Sequence, residues 1–97
     1  MTLIAGNTLE SKKILLDSKK IIGKPKPKSL ELTLVEWLGT KLSIDMHFQD
    51  YKQADKIYTI KECDDKKIAL EYYKTIIKCL KENKYKLYLK PVKLELS

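Results

Sequence analysis

The chain contains no arginine: all twenty of its basic residues are lysine, and the formal net charge of the 97 residues is +7. The planar guanidinium fork, which reads guanine edges and clamps carboxylates through two parallel hydrogen bonds, is therefore missing. Its absence argues against base-specific DNA recognition and against an active site built around an arginine clamp. The lysines still give the surface a general attraction for polyanions.

Motifs typical of cofactor and metal sites are also missing. Gly6, Gly23 and Gly39 stand alone, so no glycine-rich phosphate loop is present. His47 is the only histidine, and no spacing of cysteine, histidine or acidic residues typical of a zinc or calcium site surrounds it. We therefore expect the protein to use neither a cofactor nor a metal.

Ser43, Asp45 and His47 are the residue types of a hydrolytic triad, and they share one face of a predicted strand. Alternate residues of a strand stand about 7 Å apart, whereas a nucleophile and its base must approach to about 3 Å. We therefore expect these three side chains to be solvent-facing residues of an amphipathic strand. With no other catalytic set in the chain, we predict that the protein is not an enzyme.

Long hydrophobic runs are absent too. No apolar stretch approaches the roughly 20 residues that span a bilayer, and the first residues lack the basic and apolar regions of a secretory signal. The length, with 43% hydrophobic and 34% charged residues, is typical of one small globular domain. We expect a cytoplasmic protein of a bacterial, archaeal or virus-infected cell, without membrane contact.

Two stretches, residues 29–37 and 41–48, place apolar residues at every second position and predict a β-hairpin. Gly39-Thr40 between them supplies the turn. The expected inward-facing residues are Leu30, Leu32, Leu34, Leu42, Ile44, Met46 and Phe48. A third strand is predicted at residues 57–62.

Residues 64–82 predict the one amphipathic helix, begun by Asp64 or Asp65 as N-cap and ended by Asn83 in a left-handed conformation. Its expected apolar face consists of Ile68, Ala69, Tyr72, Tyr73, Ile76, Ile77 and Leu80. We expect this face to pack against the apolar side of the sheet.

The two ends of the chain are less regular. Residues 85–96 predict a final edge strand that is kinked at Pro91, where the apolar phase changes. Residues 14–22 fit either a short hairpin, which we favour, or a helix that begins near Ser11, and residues 23–28 form a stiff Lys/Pro connector. The predicted fold class is α+β, with a small antiparallel sheet of four to six strands and the helix packed on one face.

Charge is distributed in blocks. Residues 1–30 carry seven lysines against two acids, residues 31–65 carry four against eight, and residues 66–97 carry nine against three. If the two ends of the chain meet in the fold, their lysines form one basic face. The alternative is that the blocks intermix and neutralise one another.

Our first functional hypothesis is a non-catalytic binding protein that docks a basic face and a sheet edge onto an acidic partner surface. Its size and composition suit an accessory or inhibitor protein of a phage or mobile element. One stripe of the predicted helix is either a solvated face or a docking surface for an acidic protein. This stripe consists of Lys67, Glu71, Lys74, Lys78 and Lys81.

The alternative hypothesis is sequence-independent binding of single-stranded RNA or DNA, because lysines neutralise phosphates and tyrosines stack on unpaired bases. The candidate contacts for a partner or a nucleic acid are Lys24, Lys26, Lys28, Lys84, Tyr85, Lys86, Tyr88 and Lys90. The purely structural interpretation is that the tyrosines cover the sheet rim and the lysines solvate an edge strand.

Val35 and Trp37 lie on the side of their strand opposite the leucines. A second contact, from the N-terminal segment or from another copy of the chain, would cover them. We therefore expect a homodimer through the Trp37 face or an edge strand, and we expect Trp37→Ala to weaken self-association more than it lowers monomer stability.

Overall fold

The computed structural model describes residues 6–37, 41–49 and 57–97. In these ranges the elements are β1 (Gly6–Leu15), a 3-10 turn (Ser18–Lys20), β2 (Ile21–Ile22), β3 (Ser29–Trp37), β4 (Leu42–Phe48), β5 (Ile57–Cys63), α1 (Lys66–Lys81), β6 (Tyr85–Leu89) and β7 (Val92–Leu96). The strands form a four-stranded antiparallel sheet in the order β1-β3-β4-β5 and a three-stranded sheet in the order β2-β6-β7. The fold is α+β, as predicted.

One hydrophobic core joins the larger sheet, the helix and the smaller sheet. All seven residues predicted to face inward from β3 and β4 are buried in it. The helix α1 contributes Ala69, Tyr73, Ile76 and Leu80, and the smaller sheet contributes Ile21, Tyr85, Leu87 and Leu89. Period-two alternation therefore located the buried side of the hairpin strands correctly.

The buried stripe of α1 is narrower than the sequence predicts. Ile68 and Tyr72, which we expected to face the sheet, are exposed. Each comes one position before a buried residue, Ala69 or Tyr73. Because one position corresponds to a rotation of about 100° around a helix, the side chains of Ile68 and Tyr72 point away from the sheet. Tyr72 instead packs at the side of the helix, where the Lys61 ammonium lies 4.7 Å from its ring centroid.

Both ends of α1 form as the sequence indicates. Asp65 is the N-cap, and its carboxylate accepts hydrogen bonds from the backbone N–H groups of Lys67 at 2.8 Å and Ile68 at 3.2 Å. Asn83 has φ +57°, and the Lys84 N–H donates back to the Cys79 carbonyl at 2.8 Å. The helix is therefore stopped by its own C-terminal residues before β6 begins.

The C-terminal segment is a hairpin, which corrects the predicted single kinked strand. β6 pairs with β7 in antiparallel register, from Tyr85↔Leu96 to Leu89↔Val92, and the chain turns at residues 90–91. Pro91 has no N–H to continue the hydrogen-bond ladder of a strand, and its φ is restricted. The change in the alternation of apolar residues at Pro91 therefore marks a reversal of the chain direction. β6 is consequently the central strand of its sheet, and β7 is an edge.

Neither interpretation of residues 14–22 is correct. Ile14 lies one residue before the end of β1, and β1 pairs with β3, whereas Ile21 begins β2, which pairs in parallel with β6. The two apolar segments therefore join different sheets. Gly23 then turns the chain at φ +122°, where a Cβ would lie 2.9 Å from that of Leu89.

The predicted turn at Gly39-Thr40 and most of the predicted loop at residues 49–56 lie outside the described residues.

Candidate functional site: a lysine-lined groove

A groove of about 370 Å³ runs between β1 and α1. It exists because α1 packs mainly over β3, β4 and β5, so the helix-facing side of β1 stays open around Glu10 and Lys12. Its floor consists of Leu70, Tyr73 and Ile77. Since these positions recur at helical spacing, one side of α1 supplies an apolar surface next to the sheet edge.

Tyr73 is the rigid part of this floor. Its side chain is 4% exposed, and its hydroxyl donates a 2.6 Å hydrogen bond to the Leu32 carbonyl of β3. Burial raises the pKa of Tyr73 to about 12, and the carboxylates of Glu10 and Glu31 contribute to this increase. The hydroxyl is therefore neutral at physiological pH and ties the helix to the sheet.

Four lysines surround the floor. Lys74, Lys78 and Lys81 extend from one side of α1, and Lys12 faces them from β1. Lys12 lies within side-chain hydrogen-bond reach of Lys81, and this contact, together with the repulsion between the two charges, lowers the pKa of Lys81. Two neighbouring ammonium groups favour an anion that can contact both.

Two glutamates, Glu10 and Glu82, also line the groove. The Glu82 carboxylate lies 3.2 Å from the ammonium of Lys84, which is outside the groove. Four lysines against two carboxylates leave the groove with a net positive charge. The arrangement is an apolar floor with a cationic rim, which is suited to binding an acidic ligand.

Sequence reasoning identified part of this site. The helical stripe contains Lys74, Lys78 and Lys81, whereas Lys12 was not among the candidate contacts. The sequence signal that points to Lys12 is the distribution of charge in blocks. Lys12 belongs to the basic block of residues 1–30, and the three lysines opposite it in the groove belong to the basic block of residues 66–97.

The other candidate lysines lie outside the groove. Lys24, Lys26 and Lys28 are exposed on the connector, and the Lys26 ammonium donates to the Ser18 carbonyl at 3.0 Å. Lys86 and Lys90 are exposed at β6 and the turn after it. The candidate contacts predicted from the sequence are thus separate from the groove.

The two candidate tyrosines differ in accessibility. Tyr85 is 1% exposed, and its hydroxyl accepts a 3.1 Å hydrogen bond from the Asp17 N–H, so its ring cannot stack on a base in this fold. Tyr88 is half-buried on the outer side of β6 and bonds to the Glu95 carboxylate, which raises the pKa of Tyr88. Glu95 also pairs with Lys93 at 3.3 Å. The acid beside Tyr88 disfavours a phosphate there.

Ser43 and Asp45, expected to face solvent, are only 5% and 9% exposed. Ser43 Oγ accepts a 2.8 Å hydrogen bond from Trp37 Nε1, and Asp45 accepts one of the same length from the Thr59 hydroxyl. Both side chains therefore stabilise the sheet face opposite the helix. Among the described residues, no cluster of three or more potential metal ligands occurs.

Trp37 has an intramolecular role that the sequence did not indicate. Its ring covers Gly6, where a Cβ would come within 2.8 Å of it, and 37% of the residue is exposed. We expect Trp37→Ala to lower the free energy of unfolding by about 2 kcal/mol, because the ring contacts are lost and buried Ser43 loses its donor. Trp37→Phe, which keeps a ring, should cost about half as much in urea unfolding followed by circular dichroism.

Self-association through Val35 and Trp37 stays a prediction. Sedimentation velocity on the same samples tests it, and a wild-type chain that sediments as a monomer at high concentration would remove it. An alanine variant as stable as the wild type would instead contradict the contacts assigned to Trp37.

In comparisons with protein-family models, curated proteins and solved structures, no family, relative or solved fold matches this chain. Within the part of the chain that the structure describes, no helix has the length and apolar character needed to cross a membrane.

Proposed function

We propose that this protein is a non-catalytic binding protein that docks its lysine-lined groove onto an acidic segment of a partner protein. The observation that carries the proposal is the convergence of Lys12 with Lys74, Lys78 and Lys81 around an apolar floor. Charge on the rim would steer and orient the partner, and apolar burial on the floor would supply affinity that salt does not screen.

The floor favours a protein partner over a nucleic acid. Binding of unpaired bases relies on exposed aromatic faces. The aromatic residue of the groove, Tyr73, is almost fully buried and its hydroxyl is bonded to the sheet. Leu70 and Ile77 are instead suited to aliphatic side chains of a peptide segment.

We further propose that the protein is an accessory protein of a phage or mobile element that inhibits a host protein by covering an acidic surface in the cytoplasm. Small size and a lysine-rich composition support this step. The groove supports only the chemistry of the contact, so the biological setting rests on composition.

Nucleic-acid binding is the alternative, and one arrangement favours it. Lys86 and Tyr88 share the outer side of β6, and Lys90 follows in the turn. The connector begins nearby, because Gly23 packs against Leu89. The Glu95 carboxylate bonded to Tyr88 counts against this surface, so we place it second.

Paired lysine substitutions separate the two surfaces. We expect Lys78→Ser/Lys81→Ser to weaken binding of a labelled acidic peptide by about tenfold or more, since two rim charges are lost. Lys86→Ser/Lys90→Ser removes the same charge from the other surface and should change this affinity less than about twofold. The probe is a peptide of about ten residues in which two glutamates alternate with two valines, so that each side of the extended peptide carries both residue types. Its binding is measured by fluorescence anisotropy.

The same variants are titrated with single-stranded RNA at about 50 and 200 mM salt, because phosphate contacts weaken steeply with salt. RNA binding that depends on Lys86 and Lys90, with no binding of the acidic peptide, would overturn the proposal in favour of the alternative. A peptide with glutamine in place of glutamate keeps only the apolar contacts and should bind the wild type at least about tenfold more weakly.

A further inference from the structure

We infer that the acidic segment binds as an additional β-strand along the free edge of β1, an inference that rests on the proposed function. Within the described part of the chain, β1 is an edge of the larger sheet and is ten residues long. An unpaired edge presents backbone donors and acceptors to another extended segment. Here that edge lies directly beside the groove, which is lined by Lys12.

The direction of the backbone groups follows from the register. Trp37 N–H donates to Lys41, and the Ser29 carbonyl accepts from Gln49, so these ends of β3 bond on the β4 side. Backbone direction alternates along a strand, and therefore Leu30 and Leu32 bond toward β1. Their partners are Ile14 and Lys12.

The remaining residues in this part of β1 point their backbone groups away from the sheet. They are Ser11, Lys13 and Leu15, which pair with β3 at the non-hydrogen-bonded positions. Their N–H and C=O groups form a regular row for an incoming strand. The bulge between Thr8 and Glu10 interrupts this row, so we expect the pairing to run over residues 11–15.

Side chains determine which strand fits. On the helix side, a residue of the incoming strand would lie beside Lys12, whose charge is already close to that of Lys81. On the other side it would lie beside Lys13 and Leu15, and Leu15 is 81% exposed. The favoured segment is therefore extended, has acidic residues opposite the lysines and has an apolar residue opposite Leu15.

A second copy of β1 is a poor occupant of this edge. Antiparallel pairing of two copies, centred on the outward row of residues 11–15, would place Lys13 directly opposite Lys13 of the other copy, and like charges directly opposite each other destabilise a sheet. An acidic strand of a different protein has the complementary charge.

Amide hydrogen exchange of the wild type, with and without the glutamate–valine peptide, tests the inference. We expect the Ser11, Lys13 and Leu15 amides to become protected by about tenfold or more, because each gains a hydrogen bond. The Lys12 and Ile14 amides already bond to β3 and should change much less. Peptide binding without this alternating pattern would overturn strand addition and leave groove docking intact, whereas no binding at all would overturn the proposed function as well.

Ser11→Pro removes one outward N–H, and Ser11→Ala is its control, because both lose the 2.7 Å side-chain hydrogen bond to Glu31. Proline is tolerated on an edge strand where the N–H faces outward. We expect the proline variant to bind the peptide about tenfold more weakly than the alanine variant. Equal affinities of two folded variants would overturn the inference, and the exchange pattern of the wild type decides it if the proline variant unfolds.

Discussion

Replacing Tyr85 with alanine is expected to lower the free energy of unfolding by about 3 to 5 kcal/mol, the range for removing a large aromatic side chain from a core. The residue is 1% exposed and belongs to the core shared by the two sheets and the helix. Domains of this kind have about 5 to 15 kcal/mol of stability in total. We therefore expect the alanine variant to be largely unfolded or close to its unfolding midpoint at 37 °C.

Tyr85→Phe is the matched control. It keeps the ring in the core and removes only the hydroxyl that accepts from the Asp17 N–H, which should cost about 1 kcal/mol. Urea unfolding followed by circular dichroism measures both variants. An alanine variant with wild-type stability would show that the ring is not a core residue.

The Tyr85 result also decides how a binding experiment is interpreted. Tyr85 was a candidate for base stacking from the sequence, but its ring is inaccessible in the fold. Loss of RNA binding in Tyr85→Ala would therefore report unfolding. Tyr88→Ala is the substitution that tests stacking, because Tyr88 lies on the outer side of β6.

Raising the pH is expected to remove about 2 to 3 kcal/mol of stability through Tyr73 alone, since each unit of pKa difference corresponds to about 1.4 kcal/mol. Burial raises the pKa of Tyr73 from 10.0 to about 12 in the folded protein. The folded state thus binds this proton more tightly than the unfolded state. The stabilisation is complete below pH 10 and is lost as the pH rises toward 12.

Tyr73→Phe separates this effect from the titration of the lysines, which occurs in both proteins. At neutral pH the variant should be less stable by about 1 kcal/mol, because the hydrogen bond to Leu32 is lost. At alkaline pH the two urea unfolding curves should converge and then cross, since phenylalanine has no proton to lose. A stability difference that stays constant between pH 8 and about 11.5 would contradict the burial of an ionisable Tyr73.

Local sequence patterns were sufficient for the central elements. The alternation of β3 and β4 predicts their inward-facing apolar residues, and the helical spacing of α1 predicts its buried stripe except for Ile68 and Tyr72, because these periods follow from the backbone geometry of strands and helices. The ends of the helix were predictable for the same reason. Asp65 and Asn83 satisfy the terminal backbone groups through contacts within a few residues.

Predictions failed where the partner of a segment is distant in sequence. Ile14 and Ile21 are both apolar and buried, but nothing local indicates that one pairs with β3 and the other with β6. Ser43 and Asp45 are polar, and their burial depends on contacts from Trp37 and Thr59 on neighbouring strands. In the same way, Pro91 marks an interruption, and only pairing with β7 distinguishes a turn from a kink.

The candidate site, like the fold, could be predicted from the sequence only in part. Composition and periodicity are enough to predict an arginine-free, lysine-rich chain of α+β class and a helix with Lys74, Lys78 and Lys81 on one stripe. The position of this stripe opposite Lys12, across an apolar floor and beside a free sheet edge, follows from the packing of the helix on the sheet. Composition and periodicity are local properties of a chain, whereas a groove forms from the position at which a helix packs on a sheet, and long-range burial sets that position.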